Sequence, residues 1–486
     1  MTSTSPPPTL PAEPPRAGGY WGRVRARVSR RALDGPGLVT AVAAVLAFGL
    51  IVVTLLRRAQ ALGLPAYDNA FFEQVVWNLG HGRGFSAPGF YPANFLSLHF
   101  SPLLALPAIL ELAWPDPRLL ILLQALSLAA SAPAAFLFLR RLLPDRPRRD
   151  WLAAALAAPL PFWAVLQEAA RAGFHTEAMA LPLVLLAGWA GLGGRLWLCS
   201  GLTLAALAAR EDQVYAVAVV GLLLFFQGPS RRFGATILAT AVAWGLLTEL
   251  VIMPGLRGGV VSQVDDYYRW LHTASPATPT AALLAPAGWI AFGGMVVSMA
   301  GLPLLRPGWL ALALPPLGAD LLSAHQPQPQ LLFQYGQPLV VPLLVAGAFG
   351  ARRLLERPPP FWLPAWPPAW PPAWPPARSS RPPRPGPPLW PPRAAIGVVA
   401  LLPLLVGLAF GPLAHPLQPP STAMDRLLAC TSRLPARAPL AADDAAAAAL
   451  SARPLLKLST EAEPGDFVLV DREGRRSEER RVGKEC

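Results

Sequence analysis

Apolar residues fall in long blocks along most of this 486-residue chain, and each block ends in a short polar stretch. Blocks of roughly twenty apolar residues are what a helix needs to cross a bilayer. They lie at 38–56, 118–139, 152–170, 177–194, 196–210, 213–227, 233–252, 283–305, 307–324, 337–351 and 394–412. The pattern predicts an all-α polytopic membrane protein with eleven transmembrane helices. "SPLLALPAILELAW" (101–114) is too short to span and is expected to lie at the interface. Residues 358–393 carry the repeat "AWPPAWPPAWPPA", whose proline density predicts a polyproline II spacer. After the last block, an Ala-rich helical run and the strand-like "DFVLVD" predict a small α/β unit. The final "RSEERRVGKEC" (476–486) reads as the in-frame translation of a sequencing adaptor, so a truncated gene product is expected. The domain organisation is thus a Pro/Arg-rich tail (1–37), a membrane core (38–351), a Pro/Trp/Arg-rich linker (352–393), a last span (394–412), an outer C-terminal segment (413–475) and the adaptor-like end.

Charge orients these blocks. Arginines cluster at 16–31, in "RRLLPDRPRR" (140–149), at Arg231 and Arg232, at Arg306, and at Arg352 and Arg353. Basic loops stay in the cytoplasm, so the N-terminus is expected inside and the C-terminus outside. Arg57 and Arg58 break the rule. The net charge of +13 does not point to nucleic acid, because the arginines sit beside apolar blocks as topology signals. Only Lys457 and Lys484 are lysines in a chain rich in Ala, Pro, Gly and Arg, which fits a high-GC bacterium and its plasma membrane. Cys199, Cys430 and Cys486 have no metal or redox spacing.

With the basic loops inside, the unusual polar residues fall outside. They are Asp68, Glu73 and His81 in the first loop, then His99, then Glu168, Arg171, His175 and Glu177. Arg210, Glu211 and Asp212 follow, with Asp265, Asp266, Arg269 and His272, and finally His325, Gln334 and Tyr335. Carboxylates are costly at mid-membrane, so they belong at span ends or beside a wet cavity. Each has a bland reading. Asp68 fits a helix cap, Glu73 a solvated helix face, and His81 with Gly82 and Gly84 the turn that ends the helix. His99 and His175 fit hydrogen-bonded structural histidines, and Arg210 with Glu211 and Asp212 a helix-end ion pair. Independent structural roles do not predict one shared side, whereas an external site does. The sequence requires no cofactor. It has no HExxH or similar close motif, so a divalent metal stays unassigned.

"YDNAFFEQVVWNLGHGRGF", "HFSPLL", "LLQALSLAASAPAAFLF", "GFHTEAMALPL", "AAREDQVYAVAVVGLLLF" and "DLLSAHQPQPQLLFQYGQPLVVPLL" occur in this order. With these motifs the chain resembles the domain-of-unknown-function 2079 family of bacterial and archaeal membrane proteins, over roughly residues 50–470. That family is similar to the GT-C integral-membrane glycosyltransferases. The resemblance implies sugar transfer from a polyprenyl-phosphate carrier to an acceptor on the outer face. It implies an acidic residue just after the first span, where Asp68 stands. Many GT-C enzymes carry paired acids there, whereas this chain has Asp68–Asn69. On this reading Asp68 is the base, and Arg171, Arg210 or Arg269 holds the lipid phosphate. His99 and His175 orient the sugar or the phosphate, and Glu73, Glu177, Glu211, Asp212, Gln334 and Tyr335 complete the candidate set. The rival readings are a transporter or lipid- or ion-binding protein, and a non-catalytic scaffold. A transporter is expected to show internal repeats and interrupted spans, and no internal repeat is visible.

Overall fold

The computed structural model describes residues 35–272, 283–356, 393–412, 417–435, 438–464 and 466–469. The N-terminal tail to residue 34, the proline repeat and the adaptor-like end lie outside the described residues.

Among the described residues, six helical stretches are long and apolar enough to cross a membrane: Gly35–Gln60, Arg118–Leu142, Arg149–Ala172, Arg231–Leu256, Gln337–Leu355 and Arg393–Phe410. Eleven crossings are expected from the hydropathy pattern, and the difference has identifiable causes. The blocks at 177–194, 196–210 and 213–227 form the helices Thr176–Leu192, Leu196–Leu207 and Val214–Gln227. A 12-residue helix reaches only about 18 Å, short of a hydrocarbon layer about 30 Å thick. Gly193 and Gly194 part the first two of these, and Arg210–Gln213 parts the second two. The block at 283–305 stops at Ser298, before left-handed Ala300 and Gly301 (φ 53° and 69°). The block at 307–324 breaks into the short turns Pro307–Leu310, Ala311–Ala313 and Leu314–Leu321.

We label the principal helices α1 (Gly35–Gln60), α2 (Phe71–Gly80), α3 (Ala105–Glu111), α4 (Arg118–Leu142), α5 (Arg149–Ala157), α6 (Ala164–Ala172), α7 (Thr176–Leu192), α8 (Leu196–Leu207), α9 (Val214–Gln227), α10 (Arg231–Leu256, with a π-helical turn at Thr248–Ile252), α11 (Pro286–Ser298), α12 (Val340–Glu356) and α13 (Arg393–Phe410). The spans divide into two classes. In α4, α5–α6 and α12, 67–78% of the apolar window is buried within the protein, against 17–22% in α1, α10 and α13. The first three form the interior. The others present Val42, Val45 and Leu46, then Val242, Leu246 and Leu250, then Leu401, Leu405 and Leu408 on the outside. Apolar faces of that extent are satisfied by lipid tails and not by water.

The basic clusters meet at one end of this helical body. Gly35 lies against Trp151, Arg140 pairs with Asp150 (2.7 Å), and Arg141 and Arg195 both stack on Trp189. Arg231 stacks on Phe225 at the turn into α10, and Arg353 donates to the Leu305 carbonyl (2.8 Å). At the opposite end α1 runs through Arg58 into a π-helical turn, Ala66–Ala70, and then α2. Arg58 donates to the carbonyls of Gly63 (2.8 Å) and Arg171. The arginine that departs from the charge bias is therefore used to close the end of α1 onto α6. The apolar stretch Pro102–Glu111 runs alongside α2, with Leu106, Ile109, Leu112 and Trp114 exposed nearby.

The C-terminal segment forms a three-stranded parallel sheet, β1 (Leu440–Ala442), β2 (Leu456–Leu458) and β3 (Phe467–Leu469), in the order β2-β1-β3. The Ala-rich run between β1 and β2 is the helix Asp444–Leu450, which the Asp443 carboxylate caps through the Ala446 N–H (2.9 Å). This unit rests on the first loop. Leu440, Ala442, Ala447, Leu450 and Leu456 pack with Ala66 and Ala70, and the Ala66 N–H donates to Asp444 Oδ1 (3.1 Å).

α9 and α10 pack backbone to backbone through small residues. A Cβ on Gly221 would stand 2.7 Å from the Leu238 nitrogen, and one on Gly234 would collide with Phe225. Gly221→Val should therefore force the pair apart, at about 1–3 kcal/mol for overpacking. The expected result is a lower melting temperature in detergent, and an unchanged one would contradict this packing.

Candidate functional site

The site lies at the end where the acidic and histidine-bearing turns meet. Asp68 sits in the middle of the π-helical turn. Its carboxylate does not cap α2, whose first turn has no side-chain cap. Instead Oδ1 meets His175 Nε2 at 3.2 Å. The two side chains differ in access, at 29% exposed for Asp68 and 3% for His175. Asp68 is therefore the outward member and His175 its buried support. The loop between α6 and α7 permits this approach because residue 173 is glycine. Its φ is +100°, and any Cβ there would collide with the Asn69 side chain. The His175 N–H donates to Gln124 Oε1 (3.1 Å), and Gln124 is itself fixed on the Ala169 carbonyl (3.0 Å). Burial works to lower the His175 pKa, but Asp68 and Glu177 outweigh it and hold it above the ordinary value.

One turn further, Glu177 reaches Arg210, and both are buried. Arg210 Nε lies 3.4 Å from Glu211 and 3.7 Å from Asp212, so three carboxylates surround one guanidinium. Glu211 also accepts from the Phe100 N–H (2.8 Å) and meets His99 Nδ1 (3.1 Å). Burial opposes ionisation of Glu211, but His99 and Arg210 bring it down to about 2. Burial, then Arg210, push His99 below its usual value, with Glu211 acting the other way. Burial also raises Asp212 to about 7, with Glu177 and Glu211 adding to the effect against Arg210.

These groups adjoin a cavity of about 860 Å³. Glu177, Arg210, Asp212, Asp320 and Tyr335 line its polar end, and Val242, Leu246 and Leu250 of α10 line its apolar side. The segment after α10 folds over it. Tyr267 stacks on His325 (4.5 Å) and its hydroxyl meets that of Tyr335 (3.4 Å). Tyr268 and Trp270 donate to the carbonyls of Ala319 and Leu322 (2.9 and 2.7 Å).

The other sequence-nominated residues lie apart from this centre. Arg171 pairs with Glu168 (2.8 Å) and stacks on Phe333, and Arg269 is exposed near Asp266 (3.8 Å). Gln334 is buried beside Tyr335. His81 stacks on Trp77 and bonds its carbonyl (2.8 Å) at the end of α2. Glu73 is not a solvated helix face. It is buried against Glu111 of α3, and none of the four carboxyl oxygens has a donor partner, an arrangement that a shared proton resolves. Burial raises both acids, Glu111 to about 7. Sequence reasoning missed Arg257, which lines the cavity with its Nε buried and without a partner. Its signal is a lone arginine directly after a spanning helix, at the end opposite the basic clusters. Among the described residues no three His, Cys, Asp or Glu side chains are grouped to hold a metal.

A raised carboxyl pKa means that the folded state holds more protons than the unfolded one between the two values. Stability therefore falls as pH rises from about 4.5 to the folded value near 7. Glu111→Gln removes that loss. The variant should melt above wild type at pH 8 and together with it at pH 4.5, measured in one detergent. Parallel melting curves at both pH values would contradict a buried carboxyl pair.

No curated protein and no solved structure matches the chain significantly. One protein family does, and it is described as "Predicted membrane protein (DUF2079)", with residues 58–364 matched. That stretch holds Asp68, His99, His175, the Arg210 cluster and the whole cavity lining, and the chain belongs to this family of membrane proteins.

Proposed function

We propose that this chain is an inverting glycosyltransferase of GT-C type, moving a sugar from a polyprenyl-phosphate carrier to an acceptor hydroxyl. On this reading it lies in a bacterial plasma membrane, N-terminus inside, with the Asp68 end outward. The observation that carries the reading is the cavity. It joins a lipid-facing apolar wall on α10 to a polar end at Tyr335, which feels the charge of Asp68, although Asp68 itself does not line the cavity. A lipid tail with a phosphate-linked head group has that same division.

The chemistry follows from the positions. Asp68 gives one oxygen to His175, which leaves the other to accept the acceptor hydroxyl proton. The acceptor oxygen attacks the anomeric carbon as the bond from that carbon to the phosphate oxygen breaks. The leaving polyprenyl phosphate keeps the electron pair and needs a cation. Arg210 is already surrounded by three carboxylates, and Arg171 is engaged with Glu168. Arg257 stands on the cavity wall with an unpartnered nitrogen beside the apolar side, and we assign the phosphate to it. On this reading Tyr335, on the cavity wall, meets a sugar hydroxyl, and Gln334 is buried behind it. His99, Glu177 and Glu211 act through Arg210 as positioning residues, and Asp212, also beside Arg210, lines the cavity.

Transfer from radiolabelled polyprenyl-phosphate sugars in membranes carrying the protein tests this. Asp68→Asn keeps the shape and should accumulate normally, but should lose transfer about 10²–10⁴-fold. Glu73→Gln, one turn on and facing Glu111, should be much milder. Arg257→Gln should raise the donor KM more than it lowers kcat. An Asp68→Asn variant as active as wild type would overturn the assignment. The absence of transfer from every donor would favour the transport or scaffold reading.

A further inference from the structure

The cavity wall carries more acidic side chains than basic ones. Among the described residues it carries two guanidiniums, Arg210 and Arg257, against six carboxylates: Glu177, Glu211, Asp212, Glu249, Asp265 and Asp320. Two of the acids are incompletely satisfied. Glu177 is 2% exposed and Asp320 is 5% exposed, and each keeps one oxygen buried with no hydrogen-bond partner. The other Asp320 oxygen accepts from Gln328 Nε2 (3.0 Å), and the Gln328 amide oxygen is also without a partner. Around Glu177, Asp320 and Gln328 the unmet groups are all acceptors; the unmet donor on the wall is Arg257 Nε. A buried anion that lacks a donor is costly, so a surplus of them points to a ligand that brings both donors and positive charge.

We propose that the polar end of this cavity, around Asp212 and Asp320, binds the primary ammonium group of an amino sugar. The inference rests on reading the cavity as the donor site and specifies the class of sugar it takes. An ammonium group offers three donors and one positive charge, which meets both deficits at once. A neutral sugar supplies donors but leaves the charge surplus. A bare metal ion is less well matched, because the carboxylates are spread along the wall and not grouped for coordination. Tyr215, Tyr267, Tyr268 and Tyr335 also line the cavity, and aromatic walls favour cationic amines. Asp212, raised to about 7 by burial, holds a proton for part of the time at neutral pH, and a ligand ammonium replaces that proton.

The test uses the full chain in lipid nanodiscs and three polyprenyl-phosphate probes. Two carry glucose with one hydroxyl replaced by an amine, at C2 or at C4, and the third carries glucose itself. At least one amino sugar should bind ten-fold or more tighter than glucose, read as Kd by competition. Asp320→Asn and Asp212→Asn should each reduce that preference, with melting temperature confirming that the variants fold. Equal binding of all three probes to the wild type would overturn the amine assignment and leave the donor-site reading standing. Binding of none of them would remove the donor-site reading and the amine with it. The wild-type comparison decides the matter even if a variant does not fold.

Discussion

The buried guanidinium of Arg210 is the contact on which the site end of the molecule depends. It sits between the start of α7 and the turn that parts α8 from α9, next to a core rich in Ala, Leu and Val. A charge in such surroundings persists only when it is paired, and the carboxylates that pair with it are no better off alone. Glu177, Glu211 and Asp212 therefore hold Arg210 and are held by it. Because Glu211 also takes the Phe100 N–H and faces His99, the network fixes the 99–100 segment as well. One mutual need thus joins three segments that are distant in sequence, and a partly satisfied version of it would be worse than none.

From this node the rest of the site is placed by short steps. The start of α7 carries His175 two residues before Glu177, so fixing Glu177 also fixes the imidazole that meets Asp68. Gly173 lets that loop reach the Asn69 side of the π-helical turn, where any other residue would hold it away. The C-terminal sheet supports the opposite side of the same turn through Ala66, Ala70 and the Asp444 carboxylate. Asp68 is thus partly exposed on a segment held from both sides, which is the condition a reactive carboxylate needs to keep its geometry.

The division between interior and peripheral helices bears on the cavity. α10 is apolar on a face that meets little protein, and it crosses α9 closely through small residues. Its Val242, Leu246 and Leu250 belong both to the outer surface and to the cavity wall. The cavity is therefore continuous in character with the bilayer on one side and with the ionic network on the other.

The helical membrane class and the places of the helices are legible in the sequence, because an apolar run can be satisfied only as a helix in lipid or in a packed bundle. The count of long helices is not. Among the described residues six reach spanning length, and the others stop where Gly193, Arg210, Ala300 or the 307–321 turns interrupt them, features that a hydropathy block averages away. Asp68, His99, His175, Glu177, Arg210, Glu211 and Asp212 are visible in the chain as polar interruptions at block ends. Hydropathy and spacing do not say which of them meet. The same pattern serves Glu73 and Arg171, which turn to Glu111 and Glu168 instead, and it passes over Arg257 altogether. Sequence determines how much polar surface each segment must satisfy, since that cost is local. Only the tertiary structure decides the partner, because pairing depends on distances between helices that no stretch of chain contains.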